Sequence, residues 1–416
     1  MKNLLAALLL CVYGLTNAQT DYSFVYDPDA IIAEGNRLYD EKKYDEAIAQ
    51  YDKISLTDPQ YIKAQCEKAI ALTAADKKDE AKNFYEQALK KGFMEEYPDF
   101  YIAYGNFLSD AKEYAGAEKM LLEAQKSFPN SSSLMYYLGL LYIRKEERQK
   151  GIDYLEKAIT LSPNSAGAHY MLGLVALEDG HVTEGTLALL SYLMLVSDGG
   201  SSQNAIIQLN KKFGENYLKK GTLVFSRNGG DDFSEIDEIL RNQLPLRKAY
   251  KVKSAIDDVI TRQVQAVAEY AVNHKTGNGF FETMYIPWLA DVVKRDQFEG
   301  FSYYILLGLQ NELGDKLASQ KKKIASFREN YVDKYFWQSF AKRKVDLFGT
   351  EQEVVVYLKN KKPYLLGAEI NGQKEGKYKV LYESGNLYGE FNFKNNQFEG
   401  LQKYFDEKGR LTEEKT

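Results

Sequence analysis

Histidine, cysteine, tryptophan and proline are scarce in this chain, with 3, 2, 2 and 8 copies in 416 residues. So few cysteines exclude a disulfide-built scaffold. His169, His181 and His274 lie far apart, none has a cysteine, histidine or carboxylate at metal-ligand spacing, and no zinc pattern arises. Basic excess is missing too: 54 Lys and Arg against 59 Asp and Glu leave a net charge of -5, which argues against a nucleic-acid partner. No apolar run reaches the roughly 20 residues that a membrane-crossing helix needs. No Walker-type phosphate loop, dinucleotide fingerprint or serine nucleophile elbow occurs. The many carboxylates fall on solvated helix faces and caps, as Asp45 and Glu46 do in the first turn of a helix. The expectation is a non-enzyme, with no catalytic residue, no metal and no cofactor.

Tyrosine and phenylalanine are abundant instead, at 32 and 21 copies, and 44% of the residues are hydrophobic. That suffices for the cores of two to four domains of roughly 100 to 200 residues each. Residues 1–18 read as a signal peptide: Met1 and Lys2, an apolar stretch from Leu4 to Leu15, then Thr16-Asn17-Ala18 before Gln19, with cleavage after Ala18. Lipid attachment at Cys11 is disfavoured because Leu10 precedes it where a small residue belongs. The protein is therefore expected to be exported, periplasmic or secreted. Cleavage leaves Cys66 alone, and its helical, amphipathic setting marks it as a small buried apolar residue.

From residue 30 to 198 the chain repeats about every 34 residues, with one interval of 36. The first copy reads Gly35-Asn36-x-x-Tyr39, Tyr44-Asp45-Glu46-Ala47-Ile48 and Asp58-Pro59; the second has Ala69, Glu80-Ala81 and Ala88. Gly105, Tyr114, Ala117, Ala124 and Pro129 mark the third, and Leu138-Gly139, Tyr142, Gly151, Ala158 and Pro163 the fourth. Leu172-Gly173 and Gly185 mark the fifth. This pattern resembles the tetratricopeptide repeat, which implies paired antiparallel helices stacked into an α-solenoid. Small residues let the helices of a pair approach, while Tyr51, Tyr85, Leu121 and Leu155 fill the space between them. The resemblance also implies a protein-binding groove lined by first helices. Counting from the small residues places Asn36, Tyr39, Asp40, Asn106, Asp110, Tyr136, Arg144 and Tyr170 there, along with Ile32, Cys66, Ile70, Ile102, Leu140, Leu174 and Glu178. Paired cations of the kind that clamp a terminal carboxylate are missing, so the groove suits a peptide or helix with alternating apolar anchors. Tyr136 and Tyr170 serve equally well as packing residues between repeats.

After Ser197–Ser202 the 34-residue phase is expected to end. Residues 203–345 read as a helical extension or cap, with helices over Ala205–Tyr217, Ile236–Leu244, Val252–Val272, Phe280–Val293, Phe301–Leu313 and Lys316–Phe340. Arg227–Asp232 lacks the oxygen-ligand spacing of a calcium loop and reads as a solvated turn. Residues 350–412 switch to short alternating runs repeating every 24 residues: Gly376 recurs at Gly400 and Gly385 at Gly409, with a weaker copy at Glu351, Tyr357 and Pro363. This resembles MORN-type repeats and implies successive β-hairpins. Eleven basic and eleven acidic residues over 350–416 predict no strong pull toward anionic lipid.

The fold class expected is mainly α: a tetratricopeptide-type solenoid of helix-turn-helix repeats, a helical extension and a small antiparallel β-hairpin module. The function expected is a non-enzymatic protein–protein interaction scaffold of the bacterial envelope, binding a peptide or partner protein within an envelope or secretion complex. Two rival readings stand beside it. One is an enzyme or glycan-binding protein with a cleft in residues 205–345 and an aromatic platform near Trp288. The other is membrane-surface attachment through the tail.

Overall fold

The computed structural model describes residues 26–97, 99–214, 230–275, 277–340, 342–359, 362–382, 385–407 and 409–416. The signal-peptide reading of residues 1–18 lies outside them. Two compact units divide at Ala103 and Tyr104.

The first unit opens with α1, Pro28–Asp40, whose start is written in the sequence: Pro28 sits in the first turn and the Asp27 carboxylate accepts from the Ala30 amide. α2 (Tyr44–Tyr51) returns against it, and the Tyr51 ring lies directly over Gly35, where an added Cβ would come within 2.4 Å of it. α3 (Tyr61–Ala74) and α4 (Lys78–Lys90) form the next pair. A single extra turn follows, α5 (Phe93–Glu96), and it accounts for the one 36-residue interval.

The chain continues through α6 (Asp99–Asp110), α7 (Tyr114–Ser127), α8 (Ser132–Arg144), α9 (Arg148–Leu161), α10 (Ala166–Glu178) and α11 (Val182–Leu195). Every hairpin between paired helices passes through one left-handed residue: Lys42, Asp76, Lys112, Glu146 and Gly180. In the second unit Leu121 packs on Gly105, Leu155 on Gly139 and Leu189 on Gly173, and all three leucines are fully buried. Each such burial stabilises the array by roughly 1.5–3 kcal/mol.

One helix beyond residue 198 keeps the 34-residue spacing. α12, Gly200–Gly214, starts 34 residues after Ala166, which itself starts 34 after Ser132. The marker vanished because Ile207, half exposed, stands where Gly139 and Gly173 stand in the preceding repeats.

Beyond it lie α13 (Ser234–Arg241), a 3-10 turn at Leu244–Leu246, α14 (Val259–Asn273), α15 (Phe280–Lys294) and α16 (Phe298–Tyr304). α17 (Gln310–Ser319) and α18 (Lys321–Phe327) follow, then a π-turn at Arg328–Val332 and a 3-10 turn at Phe336–Phe340. The helix expected over Val252–Val272 begins only at Val259, because Asp258 caps it by accepting from the Thr261 amide. Those expected over Phe301–Leu313 and Lys316–Phe340 are likewise broken into shorter pieces. Trp288 is fully buried, with its indole N–H donating to Ser191 Oγ at 3.2 Å, so it is no platform for a sugar; it fixes α15 to α11. Nor is Asp231 in a solvated turn. It is buried, and its carboxylate accepts from the amides of Phe281 and Glu282 at the start of α15. Burial, opposed by those two hydrogen bonds, pushes its carboxyl up to about 7.

The tail is one antiparallel meander: β1 (Lys342–Leu347), β2 (Thr350–Lys359), β3 (Lys362–Ile370), β4 (Gln373–Leu381), β5 (Leu387–Lys394), β7 (Gln402–Phe405) and β8 (Leu411–Lys415) pair in that order, with β6 (Gln397–Phe398) on β5. β4 and β6 begin 24 residues apart, as do β5 and β8. Leu365 and Leu366, successive in β3, point to opposite faces and join separate clusters, the first with Tyr378, Phe391 and Phe393, the second with Leu347, Val354 and Val356.

Candidate functional site

Each unit carries its own part of the face formed by first helices. In the first unit Asn36 is exposed but accepts a hydrogen bond from the Tyr51 hydroxyl at 2.8 Å, so its carbonyl steadies the pair it belongs to. Tyr39 is half-buried and packs on Tyr44, ring centroids 5.4 Å apart; Asp40 is exposed. Ile32 and Cys66, also counted onto the face, are buried at 4% and 1% exposure and belong to the core. Burial pushes the Cys66 thiol well above the usual range, which leaves it a packing residue and not a nucleophile. Ile102, at 8%, is lost to the core in the same way.

In the second unit the 34-residue count sets three rows along successive first helices. Tyr136, Tyr170 and Asn204 form one, Leu140, Leu174 and Gln208 the next, and Arg144, Glu178 and Lys212 the third. Much of the outer hydrogen-bonding capacity is consumed internally. Arg144 donates to Ser109 Oγ at 2.8 Å and pairs with Asp110 at 2.7 Å, while Asn106 leans on the same carboxylate at 3.5 Å. These three are therefore a link between neighbouring repeats; an exposed ion pair of this kind is worth roughly 0.5 kcal/mol.

Tyr136 is half-buried, with its ring over Gly167, where an added Cβ would lie 2.9 Å away. The absent side chain of Gly167 thus makes the slot for the ring, and burial raises the tyrosine hydroxyl's pKa. The Tyr170 hydroxyl accepts from Asn204 Nδ2 at 2.6 Å while its ring meets Tyr192 at a centroid distance of 4.9 Å. Both tyrosines tie one repeat to the next and keep part of each ring on the surface.

The middle row differs, because Leu140 and Leu174 are half-buried apolar side chains. Beside Leu174 a cleft of about 220 Å³ opens, bounded by Leu177 and Glu178 on α10 and by Gln208, Lys211 and Lys212 on α12. The α12 residues were missed by motif reading. Counting 34 onward from Tyr170 and Leu174 finds them, without regard to the missing glycine. The arrangement can hold an apolar side chain against Leu174 and Leu177 while polar groups of α12 meet its backbone. Among the described residues no group of three His, Cys, Asp or Glu side chains could hold a metal ion, and no helix is long and apolar enough to cross a membrane.

The chain is similar to known repeat proteins over part of its length. The tetratricopeptide-repeat family model matches residues 105–166 and 136–194. Among solved structures, PilF of Pseudomonas aeruginosa is 18% identical with a TM-score of 0.38, aligned over 53% of this chain and 89% of its own. MamA of Desulfovibrio magneticus RS-1 is 20% identical with a TM-score of 0.32, over 40% of this chain and 94% of its own. No curated protein sequence matches significantly.

Proposed function

We propose that this chain is a non-enzymatic protein-interaction scaffold, exported to the bacterial periplasm or cell surface, that holds an apolar-anchored segment of a partner protein on the first-helix face of its second unit. The observation that carries the reading is the cleft at Leu174, Leu177 and Gln208, on the row that begins at Leu140. The other rows make contacts between repeats, and in this one Leu140 and Leu174 are apolar and half-buried, beside Gln208. Export rests on the pattern of residues 1–18. The tail, which resembles MORN-type repeats, supplies a second contact surface: Phe398, Leu401 and Leu411 are exposed at its far strands.

Crosslinked pull-down from envelope extracts tests this with the full chain and a Leu140→Lys, Leu174→Lys variant. The wild type should recover a defined partner, and the variant, matched in circular dichroism and melting temperature, should lose it. Equal recovery by both proteins would sink the proposal.

A further inference from the structure

A second cavity lies away from that face. It measures about 300 Å³ and opens between α13, the Leu244–Leu246 turn and α14. Ile239, Leu244 and Ala266 give it apolar walls. Its acidic groups are the carboxylates of Glu235 and Glu269, beside the rings of Tyr250 and Tyr270; Asn273 and His274 complete the polar lining, which holds no lysine or arginine. Lys253 stands 3.9 Å from Glu269 and is largely exposed.

Glu269 is aimed. Its two oxygens accept from the Tyr250 hydroxyl at 2.8 Å and from Gln265 Nε2 at 2.9 Å. Behind the other tyrosine runs a polar chain, in which the Tyr270 hydroxyl lies 2.6 Å from His274 Nδ1 and His274 Nε2 lies 2.9 Å from the buried Glu282 carboxylate. Burial and then the charges of Glu235, Glu282, Asp232 and Asp237 raise the Tyr270 hydroxyl above its usual range, as a negative field requires.

The wall is also built in advance. Arg262 donates to the carbonyls of Pro245, Arg247 and Tyr250 at 3.0, 3.3 and 3.4 Å and pairs with Asp257. Gln265 accepts from the Lys253 amide and donates to the Lys251 carbonyl. An anion would meet two carboxylates here, and a neutral guest would leave only the exposed Lys253 ammonium facing Glu269. A cation with an apolar stem satisfies walls, rings and charges together.

We propose that this cavity binds one aliphatic cation, an alkylammonium or alkylguanidinium group, with its methylene stem on Ile239, Leu244 and Ala266 and its head within reach of Glu235 and Glu269. Two sources carry that chemistry: a free small amine, or an arginine or lysine side chain of a polypeptide. The site is independent of the first-helix face.

Calorimetric titration of the full chain decides. The probes are agmatine, the blocked peptide acetyl-Ala-Arg-Ala-amide and its citrulline counterpart. Binding of agmatine alone assigns a free amine, and binding of the arginine peptide assigns a side chain. In either case the citrulline peptide should bind at least about tenfold more weakly than the arginine probe, and Glu235→Gln, at an exposed position, should cost about tenfold without changing the melting temperature. Glu269→Gln should cost more, and if it fails to fold, Glu235→Gln alone decides. No binding of either cation at millimolar concentration, equal binding of the citrulline peptide, or an unchanged affinity in Glu235→Gln would each overturn the proposal.

Discussion

The chain builds two repeat arrays from the same small residue used for opposite reasons. In the helical array glycine is present for the side chain it lacks: a Cβ on Gly185 would lie 2.5 Å from Leu177 and 3.0 Å from the Gly173 carbonyl. In the turns of the sheet glycine is present for the backbone it permits: Gly409 has φ +76 and nothing within 4 Å of where its Cβ would be. The helical repeat is thus held by dry contact at fixed distance. The sheet repeat is held by turns, around a thinner core in which Phe391 and Phe393 keep 8% exposure.

The sharpest test of the dry interior is pH. His169 is fully buried between the Pro163 carbonyl and the Tyr285 hydroxyl, each 2.9 Å away, and burial lowers its pKa to about 4. Above pH ~6.5 the imidazole is neutral in both folded and unfolded chains. Between pH ~6.5 and 4 the unfolded chain takes up a proton that the folded one refuses, so stability falls by on the order of 3 kcal/mol. Urea unfolding of wild type and His169→Gln at pH 7 and 4.5 should show the variant's disadvantage shrinking by about 2 kcal/mol at the lower pH. An unchanged gap would mean that water reaches this interior.

The glycine contrast comes next. Gly185→Ala should lose roughly 2 kcal/mol, since overpacking outweighs the better helix propensity of alanine. Gly409→Ala should lose only about 1 kcal/mol, the cost of a left-handed alanine. Asparagine separates the causes: Gly409→Asn should nearly restore stability, because asparagine tolerates that backbone, while Gly185→Asn should be worse than alanine. Melting curves of the four variants measure this, and similar losses at both sites would erase the distinction.

Much of this organisation was legible from spacing alone. The small-to-large pairing of Gly139 with Leu155 and the 24-residue strand offset needed no structure, because both arise from local geometry repeated at fixed intervals. Three things were hidden. Ile207 concealed the phase of α12, since a single substituted marker breaks a count based on glycine. Val252, Ala255 and Ile256 imitate a helical stripe although side chains of α14 hold their segment open. The acidic cavity draws on residues from Glu235 to His274 that share no motif and meet only through the fold. Of the groove positions, counting found the face but not its occupancy: which polar groups are already spent on neighbours depends on distances such as that between Arg144 and Asp110.

Arg262 has one more consequence. A single planar cation holds three carbonyls, one from the 3-10 turn at Pro245 and two, Arg247 and Tyr250, from the irregular segment after it. Lysine in its place could not meet these carbonyls and both Asp257 oxygens at once, because it lacks the rigid fork that turns Nη1 to the carbonyls and Nε and Nη2 to the carboxylate. The segment's near half opens by releasing these three carbonyls together, while Gln265 at Lys251 and Lys253 and the Tyr303 hydroxyl at Ala255 hold the far half, so the wall of the cavity has two separate fastenings.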